Sequence, residues 1–142
     1  MKKLILALAI LATCTVAKAQ EPVTEEQVWK YALMTAVIDE MKADISASIN
    51  DLIKKQEGMT GQRYLELSKG AEPANEFESK FLENVNKLKD DRVAAIKSVN
   101  SDLATKMLGG AAVYKAVKAA VKADMKEKYE AYKTQIAYSE SM

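Results

Sequence analysis

Two rows of charge stand out among the residues able to do chemistry. Glu40, Asp44 and Asp51 lie at steps of four and seven residues, and Lys115, Lys118, Lys122 and Lys126 at steps of three and four. On a helix such steps put each set on one face. A carboxylate row offers oxygen to a hard cation such as calcium. Calcium takes roughly six to eight ligands, however, and usually draws them from a loop that wraps the ion, which a straight helix cannot do. An ammonium row suits an anion or a facing row of acids. The spacing therefore predicts that the two rows face each other across a groove and decide which helices are neighbours. Each exposed pair contributes only about 0–1 kcal/mol, so the value lies in arrangement rather than stability. Attraction of the lysine row to anionic lipid or polymer is the weaker reading. A membrane-surface helix carries large apolar residues where this one carries alanine and valine.

The rest of the composition mainly excludes. The chain has no histidine, which removes Ser-His-Asp and Cys-His catalysis, HExxH zinc sites and CxxCH haem attachment together. It has no GxGxxG or GxxxxGK[ST] loop to cradle a phosphate and no Ser-x-x-Lys pair for acylation. It is read as a non-enzyme with no cofactor and no metal site. Met34, Met41, Met107 and Met125 repeat among Ile and Leu, which fits core filling better than a copper relay. The mixed run 87–92 reads as solvated surface. Arg63 and Tyr64 sit in a glycine-punctuated stretch, either as ligand contacts or, preferably, as part of a connector that plugs one end of a bundle.

Residues 1–19 read as a cleaved secretory signal, with Lys2 and Lys3 ahead of an apolar run and Ala17-Lys18-Ala19 as the cleavage site. Residues 20–142 then form one domain without cysteine. Leu11-Ala12-Thr13-Cys14 also resembles a lipobox. Thr13 fits that pattern poorly, so export without an anchor is preferred and lipidation of Cys14 is the alternative. Losing Lys2, Lys3 and Lys18 takes the formal net charge from +1 to −2. A nucleic-acid binder would be strongly basic, and that class is excluded.

The elements that must position these groups are helices. Thr24 and Gln27 have the capping-box spacing, with Val23 and Val28 as a hydrophobic staple and Glu25 and Glu26 in the first turn. Tyr31, Met34, Ile38, Met41, Ile45, Ile49 and Leu52 then mark one face of a helix over 24–56. A short helix is expected after Thr60. Pro73 is expected to open a second long helix, with its stripe at Phe77, Phe81, Val85, Leu88, Ile96, Val99, Leu103 and Met107. Gly109-Gly110 should end it in a turn, with a kinked continuous helix as the alternative, and one third helix should run over 111–137. The expected fold is all-α: three long helices plus a short connecting helix in an antiparallel helical bundle.

The motifs V-T-x-E-Q-x-x-x-Y-A (23–32), G-x-R-Y-x-x-L (61–67), G-A-x-x-Y (110–114) and D-x-K-x-K-Y (124–129) together resemble a group of small exported bacterial all-helical proteins catalogued only as a domain of unknown function. The resemblance implies an all-helical domain outside the cytoplasm, periplasmic or extracellular, and implies no activity. Three functions are carried forward. The first is a non-enzymatic interaction or structural module with a protein partner or a second copy of itself. The others are a holdase that binds unfolded clients, and an envelope component anchored at Cys14. The expected interaction surface is Lys115, Lys118, Lys122, Lys126, Arg63 and Tyr64.

Overall fold

The computed structural model describes residues 21–142; the expected signal segment at 1–19 and Cys14 lie outside the described residues. Helix α1 spans Glu25–Lys55. It begins as the capping spacing predicts: the Gln27 amide donates to Thr24 Oγ1 at 3.2 Å, and the Thr24 amide donates to Gln27 Oε1 at 2.9 Å. At 1.5 Å per residue α1 is about 45 Å long. Helix α2 (Gly61–Ser68) is capped by Thr60, whose side chain accepts from the Arg63 amide. Helix α3 (Glu76–Leu108) runs back along α1. Asp44 lies opposite Arg92, and Val28 shares a core with Leu108, so the pair is antiparallel. Helices α4 (Ala111–Lys122) and α5 (Lys126–Glu140) then fold over the start of α1. The protein is an all-α bundle.

Two boundaries differ from expectation. Pro73 does not open α3. Asn75 is the cap, its Oδ1 accepting from the Glu78 amide at 2.9 Å, and Pro73 stays in the lead-in. The third long helix is two helices. The amides of Ala123 and Met125 both bond to the Ala120 carbonyl, and Ala123 leaves helical geometry with φ −103° and ψ −96°. No proline or glycine marks this break. Packing accounts for it: the bend lets Val117 and Val121 fill a core with Tyr31 while Tyr129 and Tyr132 still turn back onto α1. The joint before α4 follows the sequence. Gly109 takes φ 83° and Gly110 donates to the Ala104 carbonyl, a left-handed cap that glycine adopts without strain.

Most buried apolar residues fall into two separate cores, with Ala32, Ile38 and Ile136 buried outside both. The proximal core holds Val28, Tyr31, Met34, Ala104, Leu108, Val117 and Val121 from α1, α3 and α4, with Tyr129 and Tyr132 of α5 packed on it. The distal core holds Ile49, Met59, Leu67, Phe81 and Val85. Between them lies a waist, residues 39–48 of α1 and 86–103 of α3, in which no residue is fully buried. The α1 stripe runs unbroken through this segment, Arg92 interrupts that of α3, and α5 reaches the waist only at its edge, where Lys133 lies 3.8 Å from Asp39. On α3, Ala104 and Leu108 take the innermost positions, while Leu103 and Met107 pack around them.

Candidate functional site

Three places concentrate side chains with something to offer. At the distal end, Arg63 forms a two-pronged pair with Glu78. Nε donates to Oε1 at 2.8 Å and Nη2 to Oε2 at 2.7 Å, and Arg63 also reaches Glu66 Oε2 and the Glu72 carbonyl. Glu78 is buried and accepts from the Ala74 amide as well, at 2.7 Å. The hydrogen bonds from Arg63 first, and then the Ala74 amide, hold its carboxyl down at about 2. Tyr64 packs edge-on against Phe81, with the Lys89 ammonium 5.6 Å above its ring. Both donor edges of Arg63 are thus spent on the fold. This pair closes the distal end, where Arg63 and Tyr64 remain half-buried. The clamp was legible in part: Asn75-x-x-Glu78 has the capping spacing that was read correctly at Thr24 and missed here.

At the proximal end, Lys118, Lys122 and Lys126 line a cavity of about 340 Å³ with Tyr31, Val121, Tyr129 and Glu130. Lys115 stands apart, beside Glu21, Val23 and Ala112. The expected groove between the acidic and basic rows does not form. Asp44 pairs with Arg92 of α3 at 3.2 Å, and Glu40 lies in the waist with Met41 and Ile96. The acids that meet α5 are Glu25, which pairs with Lys128, and Asp39, 3.8 Å from Lys133. Steps of three and four put like charges on one face but do not say which faces meet. Among the described residues none of the four lysines lies within 4.0 Å of a carboxylate. Tyr31 is buried beneath the cavity, its ring 5.7 Å from that of Tyr114 and 5.5 Å from that of Tyr129. Burial, then the neighbouring phenols, pushes its hydroxyl up to about 12, so it stays protonated. The Tyr129 hydroxyl is 3.0 Å from Thr35 Oγ1.

The third place is the waist, which the stripe reading treated as ordinary core. A groove of about 250 Å³ runs there between Glu40, Met41 and Asp44 of α1 and Arg92 and Ile96 of α3. One turn before Met41 stands Val37, and one turn before Ile96 stands Val93, each 43% exposed. Among the described residues no three His, Cys, Asp or Glu side chains come together as a metal would need, and no helix is long and apolar enough to cross a membrane. No protein-family model, curated protein or solved structure matches the chain.

Proposed function

We propose that the chain is an exported, non-enzymatic interaction module, periplasmic or extracellular, that engages a protein partner through its waist. The observation that carries this is the apolar side chains left open at the waist and its proximal edge. Val37 and Val93 are exposed, and Met41 and Ile96 are only half covered. The carboxylates held below their ordinary range are occupied with ion pairs, Glu25 with Lys128, Glu26 with Lys30 and Glu78 with Arg63. Glu25 and Glu78 thereby join helices, and Glu26 braces α1 from within. The likeness of its motifs to exported helical proteins and the leader at 1–19 support the compartment. The module is then residues 20–142.

The test is a pair of variants, Val37→Glu at the proximal edge of the waist and Val93→Glu within it. Both side chains are exposed, so the fold should survive, as circular dichroism will report. Sedimentation of the purified chain and capture from an envelope extract should both be measured. Loss of self-association or of one reproducible partner in both variants supports the reading, and retention in both contradicts it. The holdase reading draws on the same side chains. It requires near-stoichiometric suppression of client aggregation that both variants abolish. Anchoring at Cys14 is decided by the mass of the mature N-terminus. Gln20 as first residue is expected, and an acylated Cys14 would replace it.

A further inference from the structure

We infer that the proximal cavity is a binding site for a small organic anion, a phosphate or carboxylate carried on an apolar or aromatic body. This goes beyond the waist reading and does not rest on it. The charge along the walls is one-sided: three lysines, Lys118, Lys122 and Lys126, line it against one acid, Glu130, and the Lys118 ammonium also lies 6.0 Å from the Tyr114 ring. Neighbouring lysines on α5 show that this is a local choice. Lys128 and Lys133 have acids from α1 to meet them, whereas the cavity lysines have none within 4.0 Å among the described residues. Lys118 and Lys122 sit at i, i+4 and repel each other. The break after α4 then brings Lys126 alongside them as the first residue of α5, a helix with no side-chain cap at its start. The uncapped first turn adds to the positive potential of the ammonium groups. An anion relieves all of this at once.

The floor of the cavity selects what the anion is attached to. Tyr31, Tyr129 and Val121 present rings and methyl groups rather than more charge. Tyr31 is only 7% exposed as a residue, and its hydroxyl stays protonated. A volume of about 340 Å³ is that of a small-molecule pocket. A long polyanion would want a continuous basic track, but Lys115 lies at a different hollow and Glu130 repels at the rim. A single anionic group lodged among the three lysines, with its body against the tyrosines, matches both parts of the site.

The experiment titrates the purified chain with phenyl phosphate, following the ring resonances of Tyr31 and Tyr129 by NMR, with inorganic phosphate run in parallel. Saturable binding that shifts both rings is expected, with inorganic phosphate about tenfold weaker or more because it lacks the buried apolar body. The double variant Lys122→Gln/Lys126→Gln should weaken phenyl phosphate by about tenfold or more, through loss of two charge-assisted contacts. Lys115→Gln, outside the cavity, should leave it unchanged. Absence of saturable binding overturns the inference. So does inorganic phosphate binding as tightly as phenyl phosphate, or an unaltered affinity in the double variant. A second arm uses phosphatidylcholine vesicles with and without phosphatidylglycerol. Binding that needs both the anionic lipid and the two lysines puts the anion on a headgroup. Phenyl phosphate binding without vesicle binding puts it on a soluble molecule.

Discussion

The two ends of the α1–α3 pair are closed by different means. The proximal end has two further helices to lay over it and uses rings: Tyr31 against Tyr114 and Tyr129, and Trp29 edge-on to Tyr132 at 5.2 Å. Its ion pair, Glu25 with Lys128, lies at the exposed margin. The distal end has only the eight residues of α2 and a smaller core, and it buries an ionised carboxylate. Glu78 is tolerable there because Arg63 and the Ala74 amide satisfy its oxygens. Where apolar area is plentiful, packing defines the end. Where it is scarce, a directional pair fixes how α2 meets α3.

The largest expected effects come from emptying each core. Phe81→Ala should cost about 3–5 kcal/mol and Met34→Ala about 2–5 kcal/mol in denaturant unfolding, from lost burial plus the cavity left behind. If the ends are separate, each variant should broaden or split the transition rather than shift it whole.

Acid should act next, and at the distal end. Glu78 titrates at about 2 in the fold against an ordinary 4.5. Its contribution is therefore complete above about pH 4.5 and is lost as pH falls toward about 2. Thermal melts between pH 5 and 2, roughly the range of a displaced carboxylate, should show a fall that Glu78→Gln flattens, from a lower starting stability. Base should act on the other end. Tyr31 titrates at about 12 in the fold against 10.0, so its contribution is present below about pH 10 and lost as pH rises through about 12. Tyr31→Phe should remove that alkaline loss. The smallest effect belongs to the waist. Arg92→Ala breaks an exposed pair with Asp44 and should change stability by no more than about 1 kcal/mol.

Several local features of this difference were legible in the chain. Thr24 with Gln27, Thr60 before α2 and Gly109 after α3 are local signals, settled by hydrogen bonds within a few residues, and each acts where its spacing points. What depends on distant partners was not legible. Ala123 lies in a run rich in alanine and lysine that favours helix, and the break there accompanies the contact of the α5 tyrosines with α1. Met41, Ile96 and Val99 continue the stripes of their helices, but no periodicity tells that they end up only half covered. Lys118, Lys122 and Lys126 were picked out as a row. That Tyr31 lies beneath them follows from how α4 crosses α1.

Native-state hydrogen exchange on Phe81→Ala tests the two-core architecture most directly. Amides of residues 46–55, 61–68 and 76–88 should exchange much faster than in the parent chain, while those of 28–38 and 104–121 keep their protection. Equal acceleration at both ends would contradict it, showing one cooperative core where two are described.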